Sequence, residues 1–257
     1  MDGAEPGALR RALDDIARIN PFFEVPDAPA GRVRPLADLW RDPAHLEARV
    51  AEARARLAAG ARIAPERVEA RVAASLFFQG AAARLLSPAV ASLLCHGVLA
   101  DPESLGWRTD GFGSPAPARI GDRAHTAGPD GAAAALHRHV LAAVLEPLAG
   151  AVHALVPVAP RLLWGDAASA LAGALQALAR ARPATAAAAS RTGAELLAAP
   201  PLAGLGGPAE PGAGVAESFV RTTCCLYYRL PGAGKCGDCA LLGRRPAAGW
   251  GGGALSP

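Results

Sequence analysis

The chain has few of the residues that usually announce chemistry. Its 257 residues include one Met, two Tyr and four Trp, and no Walker loop, G-x-S-x-G or His-Glu-x-x-His motif occurs. Those absences exclude the commonest nucleotide-binding, serine-hydrolase and zinc-hydrolase signatures. A strong charge imbalance is also missing. The formal net charge is +3, and no Lys/Arg tract with interleaved aromatics suggests a nucleic-acid partner. The N-terminal MDGAEPGALRRALDDIARI carries acids and an Arg pair where a secretory signal needs an unbroken apolar core, so no signal is expected. The most apolar stretch, 140–159, contains Glu146 and His153 and is interrupted by Pro147 and Pro157. A bilayer span needs about 20 predominantly apolar residues, so this stretch predicts a buried helix and no stable membrane insertion. No repeat of period 20–50 is evident. The abundance of alanine, arginine, glycine and proline reflects a GC-rich coding bias more than an architecture.

What is present is mostly helical patterning. Leu9, Leu13, Ile16 and Ile19 recur at helical spacing, and a second run covers about 44–59. Pro65 opens a third helix towards Leu86, and Ser87-Pro88 is expected to restart another through Val98. Residues 101–130, punctuated by Trp107, Gly111, Gly113, Pro115 and Pro117, predict turns and a short hairpin. Helices resume over 132–155, with a kink at Pro147, over 167–182 with Asp166 as N-cap, and over 184–198. Pro200 to Gly214 reads as an irregular connection. Phe219 to Leu230 is rich in β-favouring residues, and the tail after Pro246 reads as flexible, with Trp250 able to dock. The expected fold class is mainly α: a helical domain over 1–205 with a hairpin or irregular insertion, and a small cysteine-rich knuckle within 206–257.

Four of the five cysteines fall within sixteen residues: Cys224, Cys225, Cys236 and Cys239, in the pattern Cys-Cys-x10-Cys-x2-Cys. Four thiolates complete the ligand set of a tetrahedral zinc site or a [2Fe–2S] cluster. In a reducing compartment, clustered cysteines point to metal or redox chemistry more than to structural disulfides. The Cys236-Gly-Asp-Cys239 turn suits two thiolates converging on one metal ion. In a regular strand Cys224 and Cys225 would face opposite ways, so the backbone must bend there. Pro231-Gly-Ala-Gly234 reads as a turn that folds one pair over the other, giving a hairpin that ends in a knuckle. Spacing alone leaves zinc and iron–sulfur open, with a disulfide pair or reactive thiols behind them. Cys95, among apolar neighbours, reads as a core residue.

The segment Arg221-Thr-Thr-Cys-Cys-Leu-Tyr-Tyr-Arg-Leu-Pro-Gly-Ala-Gly-Lys-Cys-Gly-Asp-Cys239 resembles the C-terminal signature of the FhuF-type ferric-siderophore reductases. Leu162-Leu-Trp-Gly-Asp-Ala-Ala-Ser169 is similar to a second block of that family. The resemblance covers 217–242 and extends over 160–205; none is drawn for the first hundred residues. Ala240 stands where members often have Pro, which touches turn stiffness and leaves the ligand set intact. The resemblance implies a [2Fe–2S] cluster on Cys224, Cys225, Cys236 and Cys239, and one-electron reduction of a ferric siderophore, hydroxamate-type favoured, with release of Fe(II). The electron donor would be a ferredoxin, a flavoprotein or a small reductant, and the expected location is cytoplasmic, with peripheral attachment at the inner face of the membrane as a variant; no helix patch signals an oligomer, so a monomer is the default. A zinc-bound structural or interaction protein, and a [2Fe–2S] sensor without turnover, are the rival readings.

Around the cysteines, Arg221, Arg229, Lys235, Arg244 and Arg245 face one acid, Asp238. A cation about 6 Å from an anionic cluster, at an effective dielectric near 20, favours its reduced form by on the order of 3 kcal/mol. That is roughly 100 mV for one electron. Arg221, Arg229 and Lys235 are therefore candidates for tuning the cluster or meeting substrate. Tyr227 and Tyr228 are expected to pack around it, and Trp164 to serve as a core anchor or a substrate contact. His137 and His139 diverge on their helix and make a poor metal pair, and His96 and His153 read as hydrogen-bonded core groups.

Overall fold

A computed structural model of the protein describes Glu5 and residues 7–28, 33–109, 115–243 and 246. Gly111, Gly113, Arg244, Arg245 and Trp250 lie outside the described residues. Helices dominate, in line with the alternation of apolar and polar positions along the chain. Helix α1 (Ala8–Ile16) buries Leu9, Leu13 and Ile16 on one face. After a short α2 (Asp38–Arg41), helix α3 (Pro43–Ala61) starts at Pro43, and the Asp42 carboxylate caps it by accepting from the His45 N–H at 3.1 Å. These starts agree with the sequence expectation to within a residue or two.

Helix α4 (Ala70–His96) departs from it. No break occurs at Ser87-Pro88: Pro88 sits inside one 27-residue helix. An interior proline costs about 3 kcal/mol through a lost hydrogen bond and a ring clash. Burial on nearly every side offsets that cost, from Val72 through Phe77 and Phe78 to Leu93. Gly97, in the left-handed region at φ 68°, ends the helix by donating to the Leu93 carbonyl. The predicted hairpin is present as β3 (Leu105–Thr109) and β4 (Pro115–Arg119), antiparallel, with β1 (Arg34–Pro35) on the other side of β3. A second small ladder pairs β2 (Val98–Ala100) with β5 (Ala124–Thr126).

The next helical region also differs in detail. Helix α5 (Ala132–Leu136) passes into a π-helical segment, His137–Leu145, before α6 (Glu146–Leu155). Pro147 lies in the first turn of α6, where its missing N–H costs nothing. The irregularity expected at Pro147 therefore lies upstream of it, in the wide turns of the π segment. His139, on that segment, stacks on His125 with ring centroids 3.7 Å apart, while His137 pairs with the Pro200 carbonyl. The two histidines do diverge. His96 pairs with the Asp15 carboxylate at 3.0 Å, and His153 with the Val158 carbonyl at 2.7 Å.

Helix α7 (Pro160–Ala181) begins seven residues before the expected start, with Pro160 in its first turn. Asp166 is thus an interior residue and does not cap the helix. Helix α8 (Ala186–Ala198) follows a short 3-10 turn. By length and composition α4 and α7 could each cross a bilayer, yet 78% and 61% of their most apolar windows is buried inside the protein. They serve as the central packed pair, and the cysteine segment is laid against them.

Candidate metal centre

Little regular strand forms near the cysteines. Strand β7 (Val220–Arg221) is two residues long and pairs antiparallel with β6 (Gly206–Gly207). The β-favouring run of 219–230 yields no longer strand, and the second cysteine pair returns beside the first as a turn. In place of the expected hairpin, a backbone bond from the Arg221 N–H to the Asp238 carbonyl, at 3.1 Å, links the two turns. Gly206 permits this arrangement, because a Cβ there would lie 2.3 Å from the Phe219 ring.

The bend required at the vicinal cysteines is present. Leu226 adopts φ 66° and ψ 3°, a left-handed conformation costing on the order of 1 kcal/mol for a residue with a Cβ. This turn brings the Leu226 N–H to 3.4 Å from Cys224 Sγ. Tyr227–Arg229 then forms a 3-10 turn. On the other side, Cys239 N–H donates to the Cys236 carbonyl at 3.1 Å, closing the Cys-x2-Cys turn.

All five cysteines are free thiols; Cys225 and Cys239 are buried, and Cys224 and Cys236 half-buried. Cys225 Sγ and Cys236 Sγ are 3.8 Å apart. Two thiolates each about 2.3 Å from one tetrahedral ion lie about 3.8 Å apart, so this pair stands at ligand spacing. The close pair joins the two halves of the motif. Among the described residues, no three or more His, Cys, Asp or Glu side chains are gathered closely enough to hold a metal ion. Burial raises the thiol pKa of Cys224 and Cys236. A bound cation deprotonates such thiols outright. Thiols are the donors that an iron–sulfur group takes, and two of the four, Cys225 and Cys236, stand at ligand spacing, with the Leu226 N–H directed at a third sulfur, Cys224 Sγ.

Beneath the cysteines lies a polar network centred on Arg221, which is 1% exposed. Its Nε and Nη2 donate to the two oxygens of Asp238 at 3.0 and 2.9 Å, its Nη1 to Asp166 Oδ1 at 2.9 Å, and Nη2 also to Ser169 Oγ at 2.7 Å. Ser75, on α4, has its hydroxyl 2.7 Å from the other oxygen of Asp166 and 3.0 Å from the Cys225 carbonyl. The network thus ties α4, α7 and both cysteine turns together. Burial pushes the Asp166 carboxyl up to about 7, against the pull of Arg221 and Ser75. Burial also pushes Asp238 up, but its Arg221 contacts outweigh that, and its pKa ends below the ordinary value. For Arg221, burial favours the neutral form and the two carboxylates more than reverse it.

Arg221 is consequently not a free cation. Two carboxylates flank it, so the field expected from counting Asp238 alone is largely cancelled. Arg229 is likewise paired, with Glu69 at 2.8 Å, and Lys235 donates to the Leu241 carbonyl. Tyr227 and Tyr228 are 39% and 43% exposed, so they flank the cysteines at the surface and do not enclose them. Trp164 packs half-buried against the core, as does Cys95. Asp166 and Ser75 were not anticipated in this role. A lone serine in an otherwise apolar helical stretch, and an acid in the Trp164-Gly-Asp166 block, were the available signals. Gly165 has its own function: a Cβ there would lie 1.8 Å from Thr223 Oγ1, so only glycine lets the cysteine segment approach α7 this closely.

Residues 221–241 match the FhuF 2Fe-2S C-terminal domain, in agreement with the resemblance drawn from the cysteine pattern. No curated protein matches the chain.

Proposed function

We propose that the protein is a ferric-siderophore reductase in which Cys224, Cys225, Cys236 and Cys239 hold a [2Fe–2S] cluster. The match of 221–241 to a 2Fe-2S domain, over a stretch that contains all four cysteines, carries this reading. When bound, the cluster supplies one electron at a time, taken from a ferredoxin or flavoprotein, to Fe(III) in a hard-oxygen chelate that holds Fe(II) far less well. The chain's own residues fix the geometry. Arg221 and Asp238 lock the two cysteine turns together, Ser75 anchors the Cys225 carbonyl to α4, and the buried faces of Cys225 and Cys239 keep water from the sulfurs. The helical body over 1–205 would receive the chelate and the segment over 206–257 would carry the cluster. The reaction belongs in the cytoplasm, performed by a monomer that can visit the inner face of the membrane.

Material isolated anaerobically is expected to be red-brown, with about two irons and two acid-labile sulfides per chain. Cys225→Ser and Cys236→Ser are each expected to abolish or shift the visible bands while far-UV circular dichroism keeps its helical signal. A colourless zinc protein would falsify the assignment. On stopped-flow mixing of dithionite-reduced protein with a ferric trishydroxamate, the visible bands should reoxidise as Fe(II) appears. Retention of the reduced spectrum in excess chelate would instead favour a sensor.

A further inference from the structure

We infer that a hollow between α4 and α7, bordered by the Asn20–Phe23 turn, seats an uncharged ferric chelate of the trishydroxamate class. This rests on the reductase reading above, which supplies the substrate class, and adds to it the place of the substrate site. The hollow measures about 270 Å³, and its walls include Asn20, Gln79, Ser87, Ser169 and Gly173. That is room for one face of such a complex. Outer-sphere electron transfer requires close approach of the complex to the site, not its enclosure.

Three observations carry the inference. First, the hollow adjoins the polar network under the cysteines. Gln79 donates to Ser169 Oγ at 3.4 Å, and the same oxygen accepts from Arg221 at 2.7 Å. On α4, Ser75, Gln79, Ala83 and Ser87 stand one turn apart, about 6 Å per step. The stripe therefore leads from the residue that holds the Cys225 carbonyl straight into the hollow. Second, Ser87 is 4% exposed and lines the hollow, and its hydroxyl has no hydrogen-bond partner among the described residues. That oxygen is not among the fully buried polar atoms left without a partner, so it opens on the hollow, where a ligand group can take the place of water. Third, no charged side chain lines the hollow; its polar groups are amides and hydroxyls.

The last point selects the ligand. Three hydroxamates, each carrying one negative charge, cancel the charge of Fe(III), and their carbonyl and amide groups match neutral donors and acceptors. A triscatecholate complex carries three net negative charges and would lose hydration against these uncharged walls; the nearby Arg84 guanidinium is 8% exposed, stacked on Phe22 and donating to the Pro21 carbonyl. Phe22, 46% exposed at the rim, offers an apolar face for the methylene spacers of the chelator. A larger hollow of about 380 Å³ also borders Phe22.

The test uses the cluster-loaded full chain and gallium(III) trishydroxamate, which has the charge and nearly the radius of the ferric complex and accepts no electron. Isothermal titration calorimetry should show binding to the native protein, weakened at least tenfold by Gly173→Phe and several-fold by Ser87→Ala. No atom lies within 4 Å of the position a Cβ would take at Gly173, so the added ring fills the hollow without a clash in the helix. Gly150→Phe, on α6 and equally open, should bind as the native protein does, and gallium(III) triscatecholate at least tenfold more weakly. The site is wrong if the native protein fails to bind the gallium complex, if Gly173→Phe binds as tightly as native, if Gly150→Phe weakens binding equally, or if the catecholate complex binds as well. Chelate binding lost in Gly173→Phe, without any electron reaching Fe(III) in the native protein, would keep the site and sink the reductase reading. Unchanged reduction of ferric trishydroxamate by Gly173→Phe would do the reverse.

Discussion

Replacing Arg221 with glutamine is expected to destabilise the folded protein by about 3–5 kcal/mol, the usual cost of removing one partner from a buried ion pair. In a chain of this length that is a fall in Tm of roughly 10 °C. The cause is what stays behind. Asp166 is fully buried, and without the guanidinium its carboxylate has only the Ser75 hydroxyl. Asp238 is less affected, because its side chain is 20% exposed and can take up water. The double variant Asp166→Asn/Arg221→Gln should therefore recover much of the loss, since no buried charge is stranded. Urea denaturation of the four proteins of this cycle measures the coupling directly. A loss below about 1 kcal/mol in the single variant would mean that the Arg221 network does not hold the cysteine segment to the helices.

The second large effect is expected at Gly165. A methyl group there would meet Thr223 Oγ1 at 1.8 Å, Cβ at 3.0 Å and Cγ2 at 3.3 Å. Rotating the threonine side chain cannot clear all three, so Gly165→Ala must push the 222–225 segment away from α7. Overpacking of this kind typically costs 1–3 kcal/mol, and here the displaced residues include Cys224 and Cys225. Gly165→Ala is therefore expected to lower both the Tm and the iron content of the purified protein. Adding Thr223→Ala, which removes two of the three clashing atoms, should restore most of each. If Gly165→Ala retains full iron and native stability, close contact between α7 and the cysteine segment is not required.

Much of this was legible in the residue order. The apolar periodicity of 8–16 and 43–61 marked α1 and α3 because each buries one face and exposes the other. The four cysteines marked, by composition alone, the segment that matches a 2Fe-2S domain. The failures share a cause in non-local packing. Pro88 reads as a helix break because local rules weigh the lost hydrogen bond, whereas α4 is buried along nearly its whole length. Asp166 reads as a cap because it is an acid near a predicted helix start, and nothing nearby in sequence reveals that Arg221 lies against it. The β-favouring run over 219–230 yields a strand of two residues because its partner, Gly206–Gly207, is itself two residues long and the chain turns at Leu226, just after the cysteine pair. Charge counting along 221–245 overstated the positive field, since Asp166 and Glu69 come from distant parts of the chain.

The double role of the Ser75 hydroxyl has a thermodynamic corollary. Because it meets both an α7 carboxylate and the carbonyl of a proposed ligand residue, occupancy by iron and the docking of the two longest helices become linked equilibria. Chelation of the iron should speed amide hydrogen exchange around 163–170 as well as in the cysteine turns, and reconstitution should slow both.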